Sequence, residues 1–443
     1  MLQTVKNYIG KNNLLQLGDK IIVGLSGGVD SVVLLSVLHD LGYECLAAHC
    51  NFHLRTEESA RDEQSAAGFA VSLPVPFFKK DFDTKAVAKE RGISIEMAAR
   101  DLRYEWFEEL RKNENAGTIA VAHHQDDSIE TMLLNLIRGT GIRGLTGIKP
   151  RNGFVVRPLL CVSKAEILQY AQTNSLSYVN DSSNSLPEFT RNKIRLQVLP
   201  LLKTLNPSIN DALNQTMYNL NEAVKIYDDE VEKFKKSVYD EKSGSIDILL
   251  LKTFSSPETL LFELLKDFGF GKEVVSEIYK AIDSQSGKEF YSPTHRLVKD
   301  REVFLLLPVE EKNAEETTYL IQPDDVGILE IPFRMEISYY QGDSASKISS
   351  YVRSVAYLDR DKLHFPLVLR KWRPGDKFIP FGMKGFQKLS DFFNNNKISK
   401  PEKEKIWLLL SGEDIVWVIN HRIDNRFRIN EDTKNVCVIR LVS

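Results

Sequence analysis

Val23-Gly24-Leu25-Ser26-Gly27-Gly28-Val29-Asp30-Ser31 is the stretch on which the fold turns. It ends a short apolar run, Ile21 to Leu25, that reads as a strand, and opens onto Ser31 to Leu41, where apolar residues recur at helical spacing. Two consecutive glycines let the backbone turn tightly and approach an anion without a Cβ in the way. The first free N–H groups of the following helix, with its dipole, favour a phosphate at that point. Ser26 and Ser31 add hydroxyl donors, and Asp30 is placed to hold a magnesium ion bound to phosphate. A Walker A loop is excluded, because no Gly-Lys-Ser or Gly-Lys-Thr occurs in the chain. A Gly-Gly turn with a Ser or Asp helix cap is common by itself. The strand–loop–helix setting is what favours a phosphate loop.

Working outward, Leu46 to His49, Val75 to Phe78 and Thr118 to Ala122 also read as strands, and Ile95 to Arg111 as a helix. Strands alternating with helices predict an α/β fold with a doubly wound parallel sheet, whose ligands sit beyond the carboxyl ends of the strands. At roughly 150 residues per domain, 443 residues predict two or three domains. The pattern changes near Leu199 to Pro207. Residues 207–308 read as a mostly helical middle domain with a β-rich end at Arg296 to Leu307. Val309 to Thr318 is polar and Glu-rich, as a linker would be, and 319–443 reads as a small α+β domain. The first domain is then 1–206.

A hydrophobic fraction of 42% with 27% charged residues excludes disorder as the main state. The four cysteines (Cys45, Cys50, Cys161, Cys437) form no Cys-x-x-Cys pair, which argues against a disulfide scaffold, a zinc ribbon or a cysteine-ligated iron–sulfur site. No apolar run long enough for a membrane span exists, and the first 20 residues lack the apolar core of a secretory signal. The expected compartment is a reducing cytoplasm. A monomer and a homodimer are both compatible with the sequence.

A second group follows the strand ending at Ala122: His123-His124-Gln125-Asp126-Asp127-Ser128-Ile129-Glu130-Thr131. Asp127 and Glu130, three apart on a helix, share one face. Such a pair can bind an ammonium group or a metal, or take a proton from an attacking amine. An acidic helix start that complements the dipole gives the same pattern without chemistry. Zinc is disfavoured, since His-Glu-x-x-His spacing is absent. Gly139-Thr140-Gly141-Ile142-Arg143-Gly144 matches the dinucleotide fingerprint, but it follows a helix rather than a strand. It is read as a flexible glycine-rich loop near the site.

Ser26 to Ser31 resembles the pyrophosphate loop of the N-type ATP pyrophosphatases, the PP-loop superfamily, which split ATP to AMP and pyrophosphate and adenylate an oxygen of their substrate. Further segments narrow the resemblance: His49 to Arg55, Glu96 to Arg100 with Arg103-Tyr104, Arg138 to Leu145, Arg157-Pro158-Leu159-Leu160, Asp181 to Asn184, and Arg191 to Arg195. With Trp372 to Lys377 and Lys388 to Phe393 in the tail, the series looks like the bacterial tRNA(Ile)-lysidine synthetase family over nearly the whole chain. Two positions depart from that family's pattern: Ser128 stands where a glutamine is usual, and Asn420 where a glycine is.

The resemblance implies ATP and Mg2+ as cofactors, and a tRNA(Ile) with a CAU anticodon and L-lysine as substrates. ATP would adenylate the C2 oxygen of the wobble cytidine, and the lysine ε-amine would then displace AMP. Ser26, Gly27, Gly28, Val29, Asp30 and Ser31 would hold ATP, with Asp30 the magnesium ligand. Asp127 and Glu130 would bind and orient lysine. Arg191 and Arg195 would neutralise phosphates or AMP, and Arg103 is a further substrate contact.

From Arg370 to Leu408 the chain carries ten Lys/Arg against four acids, although its overall formal charge is −3. Aromatics interleave with these cations, and local basic clustering is what a phosphate-contacting surface needs. Arg373, Lys377 and Lys388 are the tRNA contacts picked from it; most of the phenylalanines are read as core. Three alternatives stand against this reading. A tRNA thiolase of the same superfamily would normally carry paired cysteines, a small-molecule amide synthetase has no use for a basic tail, and an inactive RNA-binding relative need not retain Ser26, Asp30, Asp127 and Glu130 together.

Overall fold

The computed structural model describes residues 1–54, 56–179, 190–309, 318–341 and 352–442. Arg55, the motif Asp181 to Asn184 and most of the expected linker lie outside these. The chain divides into two compact units, Met1–Asp228 and Asp229–Ser443. The division falls inside one long helix rather than at 206.

In the first unit the order is α1 (Leu2–Lys11), β1 (Lys20–Gly24), α2 (Val29–Asp40), β2 (Glu44–Asn51), α3 (Thr56–Ser72), β3 (Phe77–Asp81), α4 (Thr84–Arg91), α5 (Ile95–Asn113), β4 (Thr118–Ala120) and α6 (Gln125–Arg138). There follow β5 (Arg151–Asn152), β6 (Val155–Val156), α7 (Lys164–Thr173), α8 (Thr190–Lys193), α9 (Leu199–Leu205) and α10 (Ile209–Val238). The strands form one sheet in the order β3-β2-β1-β4-β6-β5, parallel except for the β5–β6 hairpin. This is the doubly wound α/β sheet expected.

Side-chain alternation explains why both faces are covered. Ile21, Val23, Cys45 and Ala47 point into a core made with α1, α2, α3 and α7. Ile22, Leu46 and Ala48 point the other way, against Trp106, Phe107 and Leu110 of α5. A strand apolar on both faces is stable only under helices on both sides. The strand order changes sense between the parallel neighbours β1 and β4, so the crevice lies beyond Gly24 and Ala120. A third small core joins Ile129, Met132 and Leu133 of α6 to Ile194, Leu199 and Met217.

The second unit begins with the end of α10. Helices Ile248–Leu251, Pro257–Leu265 and Lys272–Lys280 accompany a five-stranded antiparallel sheet of Tyr239–Asp240, Ser245–Asp247, Val303–Pro308, His295–Asp300 and Glu289–Tyr291. The strand content thus exceeds the Arg296 to Leu307 expectation, because two- and three-residue strands are too short to display a period. Beyond residue 318, a five-stranded and a four-stranded antiparallel sheet share a core that includes Leu369, Leu409, Trp417, Ile337, Leu358 and Ile439. Helix Leu389–Asn395 packs Leu389, Phe392 and Phe393 beside Phe378, Leu408 and Val418 in a separate cluster.

The fully buried Asp424 carboxylate organises one end of this region. It accepts from Ile379 N (2.8 Å), Arg426 N (2.8 Å), Arg426 Nε (3.0 Å) and Arg426 Nη2 (2.9 Å). Removing it leaves the Ile379 and Arg426 backbone N–H groups without their acceptor, while the Arg426 guanidinium keeps Asp414. Asp424→Ala is therefore expected to lower the stability of this unit by about 3 kcal/mol. Urea unfolding followed by tryptophan fluorescence checks this, since Trp372, Trp407 and Trp417 all lie here.

Candidate active site

Beyond β1 the loop Leu25–Gly28 leads straight into α2, with Gly28 as its N-cap. Gly27 has φ +89, and a Cβ there would lie 2.9 Å from the Asp62 carbonyl oxygen, so both conformation and space demand glycine. Gly28 differs: its φ is −73, and a Cβ would meet only Ser26 Oγ, at 3.5 Å. Among the described residues nothing requires glycine at 28, and the position leaves the backbone open to the approach of an anion. Ser31 Oγ accepts from Ser26 N (3.1 Å) and donates to Gly28 O (2.9 Å). Its proton thus shapes the loop, and the hydroxyl of the exposed Ser26 lies 3.1 Å from Ser31 Oγ and accepts from Gly28 N at 3.4 Å.

The loop opens on a cleft of about 520 Å³, within the range of small-ligand sites. Its walls include Ser26, Asp30, the end of β2 at Ala48 to Phe52, Arg103, Tyr104 and His123. The Arg103 guanidinium lies 5.4 Å from the centre of the Phe52 ring. His49 is buried and ties two strand ends through Nδ1 and Leu25 O (2.8 Å).

Beyond β4, α6 starts at Gln125 with Asp127 accepting from His124 N at 3.0 Å. The His124 ring is buried among three carboxylates. Nε2 lies 3.9 Å from Asp30 and 3.5 Å from Asp127, and Nδ1 lies 3.6 Å from Asp126, which are ion-pair rather than hydrogen-bond distances. Burial opposes charge on each of these groups, but their mutual attraction outweighs it. His124 is accordingly held above its ordinary value, and Asp126 and Asp127 below theirs. Its neighbour is the opposite case. Burial pushes His123 down to about 4, and Arg157 Nε donates to its Nδ1 at 3.3 Å.

Glu130 is 1% exposed, and two arginines grip it. Arg191 Nε reaches Oε2 at 2.9 Å; Arg195 reaches Oε1 through Nε at 2.6 Å and Oε2 through Nη2 at 3.0 Å. Both guanidiniums also lie within 3.8 Å of Asp127 Oδ1. A π-helical turn, Ile194–Val198, joins α8 to α9 in this segment; such turns recur at functional sites. With both oxygens taken and no exposed surface, Glu130 offers lysine no direct contact in this arrangement. Asp127 retains the more open carboxylate, at 15% side-chain exposure.

One residue escaped the sequence reading. Lys164 Nζ lies 2.6 Å from Asp30 Oδ1, and Lys164 N donates to Asp126 Oδ2 at 2.8 Å. Lys164 therefore bridges the phosphate loop and the acidic group. The only signal for it was the capping box Ser163-x-x-Glu166, which marks a helix start but no chemistry.

Other expectations shift in detail. The loop from Gly139 to Gly144 begins at the far end of α6, about 18 Å along its axis from Asp127, and folds back so that Gly144 O accepts from Asn135 Nδ2 at 2.8 Å. The chain returns only at Ile148, whose N–H donates to Ser128 Oγ (2.9 Å). Ser128 is thus buried turn support, and a Cβ on Gly147 would come within 2.2 Å of its hydroxyl. In the second unit, Lys377 and Lys388 are exposed and face each other across the Lys377–Phe378/Gln387–Lys388 hairpin, and Arg373 is exposed nearby. Arg370 is instead taken up by a two-bond pair with Asp376. Phe378, Phe392 and Phe393 are core, whereas Phe381 and Phe386 are exposed. Among the described residues no helix is long and apolar enough to cross a membrane.

Residues 2–202 match a PP-loop domain family, 239–309 a TilS substrate binding domain and 367–441 a TilS substrate C-terminal domain. A tRNA(Ile)-lysidine synthase of Parabacteroides distasonis is 50% identical, covering 100% of each chain. Proteins of the same name from Bacteroides thetaiotaomicron (45%, covering 99% of each chain) and Porphyromonas gingivalis (40%, covering 96% of this chain and 95% of the relative) are also similar.

The shifted groups set a pH window. His124, raised, stabilises the fold fully below its unfolded value of about 6.5, and that contribution is lost as pH rises through its folded value. Asp126 and Asp127, lowered, stabilise above their unfolded values and cease to as pH falls through their folded ones. Without divalent cations, amide exchange in α6 under urea should therefore show stability falling as pH rises past about 6.5. His124→Gln is expected to flatten that alkaline limb and leave the acid limb in place.

Proposed function

The chain belongs to the tRNA(Ile)-lysidine synthase family, ATP-using ligases that form a carbon–nitrogen bond, and we propose how its residues divide that reaction. ATP lies in the cleft with its β- and γ-phosphates on Ser26, Gly27, Gly28, Val29 and the first N–H groups of α2. Lys164 turns from Asp30 to the phosphates, supplying the cation that a Walker lysine gives elsewhere. Arg103 lies along the nucleotide wall. The wobble cytidine O2 of a tRNA(Ile) with a CAU anticodon attacks the α-phosphorus and pyrophosphate leaves. The lysine ε-amine then attacks C2, AMP departs with its electron pair on oxygen, and Asp127 takes the amine proton. Glu130 acts as a positioning residue, fixing Arg191 and Arg195 toward Asp127 and the AMP phosphate.

The observation that carries this reading is the continuous chain of contacts Lys164–Asp30–His124–Asp127, which joins the phosphate loop to the amine-binding carboxylate. A magnesium ion fits the donors present. It binds through one or two carboxylates plus phosphate oxygens, and Asp30 would supply one. Among the described residues no set of three or more His, Cys, Asp or Glu side chains could hold a metal alone. Bound there, the ion would neutralise phosphate charge. Domains 1–206, 207–308 and 319–443 would serve catalysis and two tRNA contacts, with Arg373, Lys377 and Lys388 on phosphates, in the cytoplasm where tRNA is processed.

Incubation with ATP, magnesium, labelled lysine and a CAU transcript tests the assignment. Label should enter that transcript with release of AMP, and should not enter a control whose wobble cytidine is uridine. Label in neither transcript from folded protein would refute it. Lys164→Met is expected to lower kcat/KM for ATP about 10²-fold while leaving tRNA affinity unchanged.

A further inference from the structure

The hairpin that begins at Lys377 and ends at Lys388 carries features that folding alone does not explain. Phe381, Met383 and Phe386 are 40%, 46% and 56% exposed within six positions. Exposed apolar groups gathered in this way mark a binding surface. Their backbone is nevertheless pinned. Phe381 N donates to Ile423 O (3.0 Å), Gly382 N to Asn425 Oδ1 (3.1 Å), Met383 N to Pro380 O (2.8 Å), and Asn425 N to Ile379 O (2.7 Å). The turn is therefore set before any partner arrives, which lowers the entropy cost of binding.

Its charge is equally one-sided. Residues 377–388 contain Lys377, Lys384 and Lys388 and no acid. Lys377 and Lys388 sit directly opposite each other in the antiparallel pair. Like charges in that position are destabilising, and an anion between them relieves the conflict. Lys377 Nζ and Arg426 Cζ each lie 5.1 Å from the centre of the Phe386 ring. Arg426 is held by Asp424 and Asp414, so Lys377 is the cation able to leave.

We propose that this hairpin end is a stacking platform for an unpaired stretch of the RNA substrate, with a base on Phe386 and the adjoining phosphates on Lys377, Lys384 and Lys388. Duplex RNA presents phosphates but no free base faces, whereas unpaired bases stack on aromatic rings. A base that displaces the Lys377 ammonium frees it for the neighbouring phosphate. The proposal rests on the tRNA reading above and adds the class of segment that is held.

The test uses the full chain, a short unstructured oligoribonucleotide and an RNA duplex, each labelled for anisotropy. Phe386→Leu, which keeps an apolar side chain but removes the ring, should weaken oligoribonucleotide binding about tenfold and leave duplex binding alone. Phe386→Trp should restore it. Lys384→Ala and Lys388→Ala should each reduce the dependence of log K on log salt by about 0.7 for the single strand. Unchanged oligoribonucleotide affinity in Phe386→Leu would overturn the proposal, as would an equal loss for duplex. Lost self-association in sedimentation with intact RNA binding would also overturn it, making the patch a protein contact. Lysine incorporation by the wild-type protein in parallel separates these outcomes from failure of the enzymatic reading.

Discussion

Val23 pairs with Ala120 in a parallel register, although 97 positions separate them in the chain, and the site depends on that pairing. It makes Leu25–Gly28 and Val121–His124 leave neighbouring strands on the same edge. The sheet order puts the topological switch at this point, where α2 and α5 pack against opposite faces. Neither constellation is a site by itself. A glycine loop binds an anion, and an acidic helix start binds a cation. Side by side they can hold a phosphate and an amine within one small volume.

Charge balance then shapes the interior of that volume. Asp30, Asp126, Asp127 and Glu130 face three permanent cations, Lys164, Arg191 and Arg195. His124 sits among three of the four carboxylates, whose attraction holds it above its ordinary value despite burial. Neighbouring His123 goes the other way, pushed down by burial and then by Arg157. Buried carboxylates without such partners would not stay ionised.

What could be read from the sequence was local. The Ser26 to Ser31 loop, the strands around Ile22 and Ile119 and the helix through Trp106 follow from spacing, and the structure contains each. The short hairpin of β5 and β6 was not legible, because two-residue strands have no period. Lys164 was hidden among 58 Lys and Arg residues, for its role comes from contact with Asp30, 134 positions away. The spacing singled out Glu130, but its burial under Arg191 and Arg195 comes from the packing of α6 against α8 and the π-helical turn that follows it. Helical spacing showed that Asp127 and Glu130 share a face. It could not show which of the two would be open to a ligand.

The central claim is that Asp127 serves the amine step while the phosphate loop serves adenylation. Asp127→Asn tests it through the two half-reactions measured separately on the CAU transcript. Cytidine-dependent pyrophosphate release without lysine should persist at near wild-type rate, and lysine incorporation should fall by at least about 10²-fold. Equal loss of both half-reactions in folded protein would contradict the division of labour and make Asp127 part of the adenylation machinery instead.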